Sequence, residues 1–375
     1  MDAIVESGLG AYRTEQLWPI HPRDVEPGDE TRTRGYTSTY IGAAGIAWAL
    51  ERLGAASPID AAELVAAFEE APDEALAPGL LVGEAGVVLA ARRLDPHRHD
   101  PGGGWDDRLE RSLRAAIPRP ERELMFGAAG SLLVALALLR ETADPRWRVL
   151  AKEAIEELWG SWEHDTELDA RIWTQNLYGK TCRYLGPIHG YAGNALALLA
   201  AADLLGEERL AELRRECAGL MVRTARASEG LVNWAPLIDV PADAALNRVQ
   251  LCHGAPGMIV GLDRLPAGFD PRFDALFLAG GELTWQAGPM RKGSNICHGT
   301  AGNGFAFLKL FSRTGDELWL MRARAFAMHA IAQCERDTTH FGQGHYSLWT
   351  GDLGLAFYLN ACVTGQSELE LLERL

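Results

Sequence analysis

Several things are missing from this chain of 375 residues, and each absence excludes something. There is no unbroken apolar run long enough to read as a transmembrane span. The start, Met1-Asp-Ala-Ile-Val-Glu-Ser-Gly8, lacks the basic and apolar stretches of a secretory signal. Basic residues are outnumbered: Lys plus Arg total 36 against 51 for Asp plus Glu, a net charge of −15. That balance argues against a nucleic-acid groove, which needs a basic footprint. The six cysteines are spread over the whole chain and do not form a disulfide framework. A reduced, cytoplasmic setting is the expectation.

What the chain does have is a repeat. Seven times a Gly-x-x-Gly precedes an apolar run, at Gly42–Gly45, Gly83–Gly86, Gly127–Gly130, Gly190–Gly193, Gly254–Gly257, Gly299–Gly302 and Gly351–Gly354. Successive starts lie 41, 44, 63, 64, 45 and 52 residues apart. About 40 residues suit two helices and their turns. The runs after the glycines, such as Ser131–Leu139 and Asn194–Ala200, are apolar nearly all round and predict buried helices. The stretches between, such as Arg146–Trp159 and Glu207–Cys217, are amphipathic. Seven buried helices alternating with seven amphipathic ones predict an all-α protein, an α/α toroid with an inner and an outer ring. An open superhelix is the competing arrangement. Residues 1–38 read as a mostly irregular lead-in, and 39–375 as one seven-repeat body. The loop Asp95–Trp105 carries His97 and His99 and reads as solvated.

The repeat also provides a frame in which odd residues stand out. The two positions before the glycines are apolar and bland in repeats one, two, three and seven: Tyr40-Ile41, Leu81-Val82, Met125-Phe126 and Trp349-Thr350. In repeats four, five and six they are Ile188-His189, Cys252-His253 and Cys297-His298. Thiolates and imidazoles are the ligands tetrahedral zinc prefers, and a catalytic site keeps three protein ligands and one open position. Cys252, Cys297 and His298 supply that set. Cys182, Cys217, Cys334 and Cys362 lie at other offsets and read as small core residues. His164, His329, His340 and His345 have no partner that the sequence identifies.

Three motifs carry a resemblance: Tyr184-Leu-Gly-Pro-Ile-His-Gly-Tyr-Ala-Gly193, Cys252-His-Gly-Ala-Pro-Gly257 and Arg291-Lys-Gly-Ser-Asn-Ile-Cys-His-Gly-Thr-Ala-Gly-Asn303. The chain resembles the lanthionine synthetase C-like proteins, which include the lantibiotic cyclases and relatives that use glutathione. The resemblance runs over roughly residues 36–363 and implies an α/α toroid with zinc on the residues matching Cys252, Cys297 and His298. It implies a catalytic histidine at His189 and an active-site arginine at Arg248. Glu123 falls where the cyclases place an aspartate and the glutathione-using branch a glutamate; as a residue beginning a helix it would also suit the helix dipole. Lys292 matches a lysine that the glutathione-using branch sets near its ligand. His253 is not a metal ligand in the family.

The implied chemistry is addition of a thiol, from glutathione or from a peptide cysteine, to dehydroalanine or dehydrobutyrine in a peptide. Zinc would activate the thiol, Arg248 would meet charge on the carbonyl oxygen, His189 would move the proton, and Lys292 would hold a glutathione carboxylate or a substrate phosphate. Elimination of phosphate from phosphoserine or phosphothreonine could come first. The alternatives are a lanthipeptide cyclase closing internal rings and a non-catalytic module binding zinc and glutathione. Glycoside hydrolysis would want a carboxylate pair at the repeat-equivalent positions, which offer Cys and His instead. The expected partners are a dehydrated or phosphorylated peptide and glutathione, with no nucleic acid and no membrane span.

Overall fold

The structure is a computed structural model that describes the chain except for residues 26–27, 74–76, 97–103, 242–243 and 245–247. His97 and His99 of the Asp95–Trp105 loop lie outside the described residues. Each glycine pair marks the start of a helix: α2 (Ala43–Arg52), α4 (Glu84–Leu94), α6 (Ala128–Thr142), α8 (Tyr191–Ala200), α11 (Ala255–Leu262), α13 (Thr300–Thr314) and α15 (Asp352–Thr364). Between them run α3 (Ala61–Glu70), α5 (Trp105–Ala116), α7 (Pro145–Gly160), the short α9 (Ala202–Leu205), α10 (Glu207–Thr224), α12 (Pro271–Ala287) and α14 (Glu317–Phe341). Among the described residues there are also three small antiparallel hairpins: β1 (Trp162–Asp165) with β2 (Ala170–Trp173), β3 (Gln175–Leu177) with β4 (Lys180–Cys182), and β5 (Arg226–Ser228) with β6 (Leu231–Asn233). The hairpins fall in the two long intervals, after the third and fourth glycine pairs. Strands of three or four residues are too short to leave a period in the sequence.

The lead-in is less irregular than its composition suggests. It opens with a helix, α1 (Asp2–Ala11), that packs on α2 and α15. Gly8 and Gly10 weaken the helix signal in the sequence. A Cβ on Gly8 would lie 3.7 Å from the Leu50 side chain of α2, an ordinary van der Waals contact, so the packing here does not require glycine. Among the described residues, and leaving aside the short α9, six helices run between the post-glycine helices and α1 is a seventh beside them.

The chain forms two compact units. The first comprises Met1–Ala115, Pro289–Ala301 and Arg324–Thr364; the second comprises Ala116–Gly288, Gly302–Ala323 and Gly365–Leu375. In the first, α15, α2 and α4 pack in series, with α3 against α4. In the second, α6, α8 and α11 pack in series, backed by α7, α10 and α12. Residues Tyr191–Leu199 of α8 and all of α11 are buried, as their all-round apolar sequences require. Each buried leucine of α8 contributes roughly 1.5–3 kcal/mol. Lys309, a charge within the apolar run of α13, is also buried. Its Nζ lies 2.7 Å from Glu373 of the C-terminal segment and 3.5 Å from Asp263, so the charge is paired within the second unit. Among the described residues no helix is long and apolar enough to cross a membrane.

Candidate functional site

The glycine pairs have a shared mechanical role. In repeats one, two, four, six and seven the first helical N–H donates to a carbonyl seven residues earlier: Ala43 to Tyr36, Glu84 to Ala77, Tyr191 to Tyr184, Thr300 to Gly293 and Asp352 to His345, at 2.5–2.9 Å. In four of these the next N–H does the same one residue on, as Ala192 does to Leu185 at 3.0 Å. The loop thus curls back and satisfies the donors that a helix start leaves open. The curl leaves no room for a Cβ. On Gly190 it would meet the Tyr184 oxygen at 2.1 Å, and on Gly193 the Pro187 oxygen at 2.1 Å.

Two loops close differently, and both carry candidate residues. In repeat five the Ala255 N–H donates to Asn233 Oδ1 at 2.9 Å, and Asn233 Nδ2 donates to the Arg248 carbonyl at 3.1 Å. Gly254 has φ +109°, open to glycine. Gln250 and His253 exchange both backbone hydrogen bonds at 3.0 Å, which puts Cys252 at the tip of a two-residue turn. Cys252 is buried, and Gln250 Nε2 donates to its Sγ at 2.8 Å. Arg248 itself is exposed.

In repeat three the closing group is Glu123, which lies in the loop five residues ahead of α6 rather than at a helix start. One carboxylate oxygen accepts the Phe126 N–H at 2.6 Å; the other lies 3.1 Å from His189 Nδ1. Glu123 is fully buried, whereas the His189 side chain keeps 20% of its surface open. A carboxylate accepts only, so Nδ1 carries a proton and the lone pair of a neutral ring falls on Nε2. The Leu124 N–H donates to the Ile188 carbonyl at 3.3 Å, which ties the two loops together. Around His189 stand Tyr178 and Tyr184, with ring centroids 6.4 and 6.1 Å away. Tyr184 also lies 5.6 Å from the His253 ring. Burial, and after it the neighbouring Cys182, push the Tyr184 phenol up, and the charge of Arg248 offsets part of this.

The first unit holds Cys297, His298 and Lys292. Cys297 is buried; its N–H donates to the Trp349 carbonyl at 2.9 Å, and Tyr40 Oη donates to its Sγ at 3.0 Å. Tyr40 and Trp349, bland in sequence, are thus the supports of this cysteine. The His298 ring is pushed down to about 4 by burial and then by the charge of Lys292, which keeps it neutral. Lys292 is exposed. In the same unit His345 has a partner the sequence did not identify: its Nε2 lies 2.6 Å from Asp24 Oδ2.

Zinc can be tested against the donor chemistry. All six cysteines are thiols. Cys252 and Cys297 each receive a hydrogen-bond donor on sulfur, as a thiolate requires, and His298 is kept neutral, as a ligand must be. The donor set therefore suits the metal. Cys252 belongs to the second unit and Cys297 and His298 to the first, so neither unit alone supplies three ligands. Among the described residues no group of three His, Cys, Asp or Glu side chains is placed to hold a metal ion. Of the four other cysteines, Cys217 and Cys362 are core residues as expected, while Cys182 and Cys334 are half-buried.

The fold is that of a known class. The chain is similar to the solved structure of a nisin cyclase, with a TM-score of 0.58 over 88% of this chain and 94% of the other, at 14% identity. This likeness shows the fold alone, the all-α, α/α-toroid class read from the repeats. Residues 35–372 match the profile of the lanthionine synthetase C-like proteins, and the chain belongs to that family. It is 32% identical over 183 residues to glutathione S-transferase LANCL1 of Danio rerio, covering 47% of this chain and 42% of that protein. It is 33% identical over 115 residues to LanC-like protein GCL1 of Arabidopsis thaliana, covering 28% of this chain and 25% of that protein. The matched stretches span less than half the length of these curated relatives.

Proposed function

We propose that this protein is an enzyme that adds a thiol to a dehydroalanine or dehydrobutyrine residue of a peptide, with glutathione as the thiol. The observation that carries the reading is the buried Glu123 carboxylate holding His189 Nδ1, which leaves Nε2 as the proton-exchanging atom. Glu123, and the likeness to the zebrafish glutathione S-transferase LANCL1, favour glutathione over an internal cysteine. A cytoplasmic setting suits six thiols.

The thiol proton passes to His189 Nε2. Sulfur forms its bond to Cβ as the Cα–Cβ double bond breaks, and negative charge collects on the peptide carbonyl oxygen. Arg248 meets that charge. His189 then returns the proton to Cα, so the sum is addition of S–H across C=C. Glu123 touches no substrate; it fixes the ring and its tautomer. Lys292 holds a glutathione carboxylate, or the phosphate of a phosphoserine or phosphothreonine that loses it by elimination before addition. Cys252, Cys297 and His298 would hold zinc, which when bound makes a coordinated thiol a thiolate at neutral pH. The lead-in 1–38 and the body 39–375 work as one catalytic domain in this reading.

The test is incubation of the purified protein with a dehydroalanine peptide, with and without glutathione, followed by intact mass. A glutathione adduct that disappears in His189→Ala is the expected result. Adduct formation at an unchanged rate in that variant overturns the proton role. A ring product without glutathione assigns the cyclase reading instead. Metal analysis is expected to give about one zinc per chain, retained in His189→Ala and lost in Cys297→Ala. A phosphoserine peptide in the same assay reads elimination separately.

A further inference from the structure

Tyr178 occupies the first turn position of the β3–β4 hairpin, between the paired residues Leu177 and Lys180. The two turn residues, Tyr178 at φ +52° and Gly179 at φ +72°, both have positive φ. A two-residue hairpin of this kind prefers Asn-Gly or Gly-Gly, because positive φ crowds the Cβ of other residues. A tyrosine there sets the backbone at a disadvantage on the order of 1 kcal/mol. The ring gains little burial in return: Tyr178 is 70% exposed, the most exposed aromatic residue of the described chain. What the turn achieves is placement. The ring stands edge-on to His189 at 6.4 Å and to Phe126 at 6.4 Å. The hairpin itself lies in one of the two long repeat intervals, the one that ends at His189.

We infer that Tyr178 is a substrate-binding residue of the His189 site: its exposed ring takes the planar, unsaturated residue of the peptide and the amide that follows it. This inference rests on the thiol-addition reading. A dehydroamino acid is conjugated with its neighbouring amide and flat, and an aromatic face is the surface that stacks on it. Glutathione has planar amides but no double bond conjugated with them, so the tyrosine favours the larger conjugated plane of the peptide over the glutathione. The hydroxyl is not needed for stacking, and phenylalanine serves as well.

The test is steady-state kinetics of glutathione addition to a dehydroalanine peptide with Tyr178→Asn and Tyr178→Phe. Asparagine suits the turn, so Y178N is expected to fold and to unfold at a temperature equal to or above that of the parent. Its KM for the peptide is expected to rise about tenfold, the loss of one stacked contact of about 1.4 kcal/mol, with kcat and the KM for glutathione within twofold. Y178F is expected to keep the parent KM. Glu229→Asn relieves the matching turn of the β5–β6 hairpin, where Glu229 also has positive φ, and is expected to change neither KM. An unchanged peptide KM in Y178N, or an equal rise in E229N, overturns the inference while leaving thiol addition intact. No adduct from the parent protein overturns the functional reading, and the inference falls with it.

Discussion

Two histidine–carboxylate pairs with a buried carboxylate stand among the described residues, and they are built for opposite ends. In the second unit Glu123 holds His189 at 3.1 Å, spends its other oxygen on the Phe126 N–H, and leaves the ring partly open beside two tyrosines. In the first unit Asp24 holds His345 at 2.6 Å, but the same oxygen of Asp24 also accepts from Thr350 at 3.0 Å and Ser347 at 3.3 Å. His21 then stacks on His345 at 4.1 Å, with the rings 8° from parallel. The first arrangement leaves a nitrogen for a reacting partner. The second encloses everything and fastens the lead-in to the loop of the seventh repeat. A histidine beside a carboxylate is therefore not in itself a site; what the second nitrogen can reach decides it.

The largest expected difference between the pairs is in rate. His189→Ala is expected to slow adduct formation by about 10²- to 10⁴-fold, the usual worth of a positioned general base, and to lower stability as well, because the fully buried Glu123 loses a partner. Glu123→Gln separates orientation from proton transfer. It keeps an acceptor for Phe126 but presents the wrong partner to Nδ1, and the rate is expected to fall on the order of 10²-fold through loss of the tautomer, with an altered pH profile. His345→Ala is expected to act on stability instead, lowering the denaturant midpoint by the equivalent of about 3 kcal/mol, because Asp24 stays buried with a partner removed. A rate loss in His345→Ala as large as that in His189→Ala would erase the distinction.

The most gradual effect is one of pH. Burial first, then the neighbouring His345 and Arg23, push His21 from 6.5 down to about 4, against the pull of Asp24 and Asp337. The folded pKa lies below the unfolded one, so the unfolded chain takes up the proton first as pH falls. His21 therefore supports the fold fully above about 6.5. That support is lost at roughly 1.4 kcal/mol per pH unit as pH falls from 6.5 to about 4. Thermal melts across that window are expected to show the slope, and His21→Phe to flatten it.

The sequence discloses the helix starts because their cause is local: a loop that folds back within seven residues excludes every side chain but glycine, and the letters show it. The residues Cys252, Cys297, His298 and His189 stood out for the same reason, as exceptions at fixed offsets. That Glu123 pairs with His189 is not legible, because the two lie 66 residues apart and the pairing is made by packing. Asp24 and His345 are 321 residues apart, and nothing in either neighbourhood announces the other. Tyr40 read as bland because its hydrogen bond to Cys297 crosses 257 residues. Tyr178 left only a faint signal, a Tyr-Gly where a hairpin turn would prefer Asn-Gly.

The two ways of closing the loops have a consequence for exchange with deuterated solvent. The amides of Ala43, Glu84, Tyr191 and Thr300 are held by main-chain carbonyls, so no single side-chain change releases them. The amides of Phe126 and Ala255 are held by the side chains of Glu123 and Asn233. A point substitution at Glu123 or Asn233 can therefore restart the exchange clock of these two protons. They sit in the loops that carry Glu123 and Cys252, so their exchange rates would report on the candidate site with no substrate present.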